Sequence, residues 1–108
     1  MEWENASRRL WSLRGLRKNW DGEGADEISA KYIASAAKLL VQLRFGTAEV
    51  LGKKVPQRPP DDIYPLCEGN IIMEWRLPEE VIVRVEVEGE GVGQIMITYP
   101  SEANKKEG

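Results

Sequence analysis

Asn19, Asp21 and Glu23 stand at alternate positions with Gly24 sixth in the run, the spacing with which an EF-hand loop offers its first oxygen ligands to calcium and turns sharply. The comparison breaks further along. The twelfth position is Ala30, where a bidentate glutamate is needed, and the eighth is Asp26, where an apolar residue normally steadies the loop. No metal site is expected, and no cofactor. A second group, Glu74, Glu86 and Glu88, has the residue type for general acid–base work, but nothing in the sequence supplies the pocket or the pKa separation such a pair requires. Arg76 and Arg84 fall on the same side of their strands, so cross-strand ion pairs are the simpler expectation. The single thiol, Cys67, is followed by Glu68, whose charge raises a thiol pKa and works against a nucleophilic role.

The third group is basic. Arg8, Arg9, Arg14, Arg17 and Lys18 surround Trp11, a pattern that can contact phosphates and stack a base. Five cations on one helix also describe an ordinary solvated surface, and the acidic half of the chain opposes a polyanion. Nucleic-acid binding through this helix is the alternative, and a small enzyme using surface carboxylates the second alternative.

The elements that must position these residues follow from a chain of 108 residues, 42% apolar and 31% charged, enough for one core and too short for two. The absence of histidine removes imidazole bases, His-ligated zinc and serine–histidine triads together. Residues 1–60 carry eleven Lys/Arg and seven Asp/Glu, net +4, whereas residues 61–108 carry four and eleven, net −7. No basic n-region leads into an apolar stretch after Met1, and no run approaches a membrane span, so a cytoplasmic chain without membrane association is expected.

Trp3, Ala6, Leu10, Leu13 and Leu16 recur every three or four residues and predict an amphipathic helix over about 3–18. A loop, Asn19 to Asp26, follows. Ser29 is the expected N-cap of a second helix over about 30–44, with Ala30, Ile33, Ala37, Leu40 and Val41 or Arg44 along one side. Thr47 to Leu51 reads as a helical turn, before a proline-rich connector. The period then changes to two, predicting strands at about 63–67, 71–76, 81–88 and 94–99, with Val81, Val83, Val85 and Val87 on one face and Ile95, Ile97 and Tyr99 inward on the last. Pro65 places the first strand at an edge. The expected fold is α+β, an N-terminal helical hairpin packed on a C-terminal four-stranded antiparallel meander, as a single domain over 1–100 with a disordered tail at 101–108.

The loop Asn19-Trp20-Asp21-Gly22-Glu23-Gly24-Ala25 before a helix, together with Ile63-x-Pro65 and Gly69-x-Ile71-x-x-Glu74-Trp75, resembles a family of small uncharacterised bacterial proteins with a W-D-G-x-G-A loop between helices and a G-x-x-x-x-E-W strand. The resemblance covers roughly residues 10–90 and implies a small bacterial α+β domain without naming a chemistry. In physical terms, Gly22 and Gly24 suit positive φ, Asp21 caps backbone N–H groups, and Trp20 anchors the loop in the core.

With few catalytic parts, the chain is expected to act by contact. It reads as a non-enzymatic protein-binding or regulatory module of bacterial or phage origin, in the manner of an accessory or inhibitor subunit in a defence or toxin-neutralising system. Its partner is an unidentified protein, with self-association through the outer sheet face or a free edge. Trp11, Asp21, Glu23, Ile72, Glu74 and Met96 are the residues expected to meet the partner, while Trp20, Leu40, Val83, Val85 and Ile97 are expected to hold the fold.

Overall fold

Period-2 valines in one half and period-3.6 leucines in the other each leave an apolar face that must be buried against something, and the two faces bury each other. The computed structural model describes residues 2–46, 49–89 and 91–100. Its elements are α1 (Trp3–Ser12), α2 (Ala30–Arg44), β1 (Glu49–Val50), β2 (Lys53–Lys54), β3 (Asp62–Pro65), β4 (Ile71–Leu77), β5 (Val81–Glu88) and β6 (Gly91–Thr98). The protein is α+β, two helices followed by a four-stranded antiparallel sheet in the order β3-β4-β5-β6, with β1 and β2 forming a separate small sheet.

Register explains the core. Ile71, Met73 and Trp75 on β4 lie opposite Val87, Val85 and Val83 on β5, and the layer continues through Ile63 on β3 and Ile95 on β6. Ala6, Leu10 and Leu13 from the N-terminal helical segment and Ile33, Ala36, Leu39, Leu40 and Leu43 from α2 complete the same buried cluster. Glu4 at the start of α1 stands 3.7 Å from Arg44 at the end of α2.

Several expectations need correction. The first helix does not reach residue 18: α1 ends at Ser12, a 3-10 turn follows at Leu13–Gly15, and Leu16 is extended. Gly15 has the backbone freedom that disfavours another α-turn, and the chain must soon reach positive φ at Asn19, 66°. In α2, Ser29 caps as expected, its Oγ accepting from the Tyr32 N–H at 3.3 Å. The inner stripe is rotated, however. Ala36, Leu39 and Leu43 are buried while Ala30 and Val41 face outward, because this phase gives the core the larger leucines. Where a helical turn was expected at 47–51, β1 and β2 pair around Leu51 and Gly52, both at positive φ as a two-residue hairpin turn requires. Thr47 and Ala48 lie outside the described residues, as do Glu90 and the tail 101–108.

In the main sheet, β3 is the expected edge strand but ends at Pro65, since the following residues turn to reach β4. β4 runs one residue further than expected, to Leu77, where it still pairs with Val81. β6 starts at Gly91 rather than 94. Gln94 pairs with Glu86 and Val92 with Val87, leaving Gly93 as an extra residue, a β-bulge. Tyr99, expected inward, falls past the strand end and is exposed.

Candidate functional site

Alternation puts Ile72, Glu74, Arg76, Arg84, Glu86, Gln94, Met96 and Thr98 on the sheet face away from the valines. This face is knitted together rather than open. Glu74 Oε1 accepts from Arg84 Nε at 2.9 Å and from the Tyr64 hydroxyl at 3.2 Å, and its Oε2 accepts from Arg76 Nε at 3.2 Å. Both of its oxygens are engaged, and the side chain is buried. Burial, its largest influence, pushes the Tyr64 phenol up against the opposing pull of Arg84, while the hydrogen bond to Glu74 raises the Arg84 guanidinium. One strand end further, Arg58 grips Asp61 through two hydrogen bonds of 3.0 and 3.2 Å, and Asp61 also accepts from the Arg76 backbone N–H at 2.6 Å. Those bonds hold the Asp61 carboxyl below the usual range. Ile72 is buried under this layer. Ile72 and Glu74 are therefore not presented to a partner, and Met96, on β6 across β5 from Glu74, is half-buried. Cross-strand ion pairing was legible in the alternation; Arg58, Asp61 and Tyr64, which complete it, were missed because they arrive from the connector and β3.

Asp21 and Glu23 sit apart, in the exposed loop between the helices. Asp21 Oδ1 accepts from the N–H groups of Glu23 and Ala25 at 2.8 and 3.1 Å, and Asn19 Oδ1 accepts from Gly24 at 2.6 Å. Asp21 is thus the turn cap expected of it. Trp20 is not a core residue: half-buried, it fastens the loop by donating its indole N–H to the Asp26 carbonyl at 2.8 Å. The loop is tied to the strands by the Asp26 N–H, which donates to the Cys67 carbonyl at 2.8 Å. At Gly69, φ 95°, a Cβ would stand 3.4 Å from the Glu27 carbonyl oxygen. Buried Trp75 donates its indole N–H to the Arg58 carbonyl at 2.9 Å. The two sequence patterns thus meet in space, and each of these residues has a structural task there. Among the described residues no cluster of His, Cys, Asp and Glu is suited to a metal. The Cys67 thiol, 3.4 Å from Glu68 Oε1, is raised by that hydrogen bond and charge.

The basic residues divide. Arg9 is spent on the fold, its Nε donating to the Ile63 carbonyl at 2.9 Å. Arg17 and Lys18 lie beyond α1, so five cations do not share one helical face. Arg8 is exposed on α1, and Arg14 lies over the Trp11 ring at 5.8 Å. Trp11 belongs to an open groove of about 190 Å³ between the helices, lined by Trp3, Ser7 and Trp11 from α1 and by Ala37, Leu40, Val41 and Arg44 from α2. Trp11 is 41% exposed, Val41 56% and the adjacent Phe45 77%, with the Arg44 guanidinium 5.5 Å from the Phe45 ring. Trp3, Ser7 and Trp11 follow one another at i, i+4, and of the three only Trp11 stands out in the sequence as a partner residue; the helical period puts Val41 or Arg44 on the inner stripe, which hides the exposure of Val41. No described helix is long and apolar enough to cross a membrane. The chain matches no family model, no curated protein and no solved structure.

Proposed function

We propose that the protein is a non-enzymatic binding module that takes an acidic, amphipathic segment of a partner protein into the groove between α1 and α2. The observation that carries this reading is the groove itself, where Trp11, Val41 and half-buried Trp3 offer apolar surface that the core leaves uncovered, over a floor formed by buried Leu40. Its charge supports the partner's chemistry: Arg14 and Arg44 stand over exposed rings at its margins, and the Glu4 opposite Arg44 is a solvent-exposed ion partner that an incoming carboxylate can replace. An aromatic anchor rimmed by arginines is the composition enriched at interface hot spots. The proposal moves the binding surface from the outer sheet face, whose Glu74 is fully engaged, to the helices; Trp11 alone carries over. An accessory or inhibitor role in a bacterial or phage toxin-neutralising system is the biological form this reading takes. Affinity capture from host cells with wild-type, Trp11→Ser and Val41→Glu baits tests it. One prey held by the wild type and lost by both folded variants is the expected result; prey held equally by all three sinks the reading.

One observation favours a second reading. The Trp11–Arg14 and Phe45–Arg44 pairs each present a ring with a cation above it, the arrangement on which single-stranded nucleic acid stacks. Quenching of tryptophan fluorescence by an oligothymidylate, weakening steeply with salt and abolished by Trp11→Ser, would select it.

A further inference from the structure

We infer that β6 pairs antiparallel with β6 of a second copy across a two-fold axis at Met96, joining two four-stranded sheets into one of eight strands, with Tyr99 of each copy seated against α2 of the other. The two edges of the sheet are built differently. On β3 the edge is blunted: the Ile63 N–H is taken by Asp62 Oδ1 at 2.8 Å, the Ile63 carbonyl by Arg9 Nε at 2.9 Å, and Pro65 has no N–H to offer. β6, at the other edge, carries no charged residue along its eight positions, and among the described residues only β5 pairs with it. A long edge strand with no charged residue or proline of its own is a template for a further strand.

Symmetry selects a second copy as that strand. The regular part of β6 lies between the Gly93 bulge and the strand end at Thr98, and its middle residue is Met96. A two-fold there sets Met96 opposite itself, Ile95 opposite Ile97 and Gln94 opposite Thr98, so every pair keeps its side of the sheet and no charges meet. The charged strands β5 of the two copies stand three strand spacings apart, about 14 Å, beyond the screening length of physiological salt. Pairing Ile95 with Ile97 also carries the buried layer from one copy into the next.

The same register explains two features at the ends of β6. Tyr99, just past the strand on the helix side by alternation, is 63% exposed. At the other end a hollow of about 230 Å³ lies between α2 and the strand, lined by Ser35, Lys38, Leu39, Gln42, Gly91 and Val92. Its volume exceeds the about 150 Å³ that holds a benzene ring in an engineered cavity. The two-fold brings Tyr99 opposite Gly93, beside Val92, at the mouth of that hollow. Glycine suits this crossing, where the Glu88 carboxyl already lies so close that a Cβ on Gly93 would overlap it. This surface is separate from the α1–α2 groove, so either can fail without the other.

Sedimentation equilibrium on the full chain at high micromolar concentration tests the pairing, with circular dichroism as the check on folding. The wild type is expected to have the mass of two chains. Met96→Lys sets like charges opposite each other on the axis and should weaken the dimer at least about a hundredfold. Met96→Glu should do the same, and mixing the two variants should restore a dimer. Tyr99→Ser, outside the strand, should weaken it about tenfold and decides the matter if the Met96 variants fold poorly. A monomeric wild type overturns the proposal, as does a dimer that folded Met96→Lys or Tyr99→Ser leaves as tight as before.

Discussion

Glu74 shows how one carboxylate can be central to a surface without being available to a ligand. Its oxygens accept from Arg84, Tyr64 and Arg76, and its own strand neighbours and β3 cover it. Removing Glu74 leaves Arg84 without its carboxylate, but Arg76 keeps Asp62 at 4.0 Å, and Arg84 is about one-third exposed and Arg76 more so, which lets water repay part of the loss. Glu74→Ala is therefore expected to cost about 2 kcal/mol, below the 3–5 typical of a fully enclosed pair. Glu74→Gln keeps an oxygen for Arg84 and should cost less than half as much. Denaturant midpoints of the two variants check this; equal losses would show that shape, not the shared acceptor, sets the energy. Alternation along β4 and β5 made Glu74, Arg76 and Arg84 legible as neighbours on one face. Burial of Glu74 and Ile72 was not legible, because it depends on long side chains from other strands, Tyr64 above all, whose reach no single strand's pattern records.

At the scale of elements, the strands are the most legible in the sequence. A period of two survives in any sheet that has one apolar face, and the valines of β5 have no other use. The helices are less legible because each packs on two neighbours at once: α2 meets both the sheet and α1, so its buried stripe is wider than one row and its phase follows Leu39 and Leu43 rather than Ala30 and Val41. That choice of phase leaves Val41 outside to form the groove with Trp11, a site no single helix displays. The same limit applies to the basic stretch, whose cations look equivalent in sequence. Arg9 bridges α1 to β3 through the Ile63 carbonyl, while Arg8 points to solvent. Arg9→Ala loses a charge-assisted hydrogen bond and is expected to cost roughly 1–2 kcal/mol, whereas Arg8→Ala should stay within about 0.5. Thermal or denaturant unfolding of the pair checks it, and the idea fails if the two variants are equally stable.

For the molecule as a whole, the network at the end of β4 ties the connector, β3, β4 and β5 into one unit, so its protonation should be read out by global unfolding. Asp61 is the acid-side group: the hydrogen bonds from Arg58 and then from the Arg76 N–H hold its folded-state pKa down. A lowered carboxyl pKa means the native state favours the charged form. Its stabilisation is complete above the ordinary aspartate value of about 3.9 and is lost as pH falls through the lower folded-state value. Tyr64 acts on the alkaline side with the opposite sense. Burial raises its pKa, so the native state favours the neutral phenol, and stability is present below about pH 10 and lost as pH rises through the folded-state value. Asp61→Asn should therefore lower stability at neutral pH and converge on the wild type in strong acid, because the wild type loses there what the variant never had. Tyr64→Phe should track the wild type across neutral pH, offset by the lost 3.2 Å bond to Glu74, and decline less steeply above pH 10. Denaturant midpoints measured from strong acid to strong base decide both limbs; parallel curves for Asp61→Asn and wild type below about pH 4 would remove Asp61 from the acid limb.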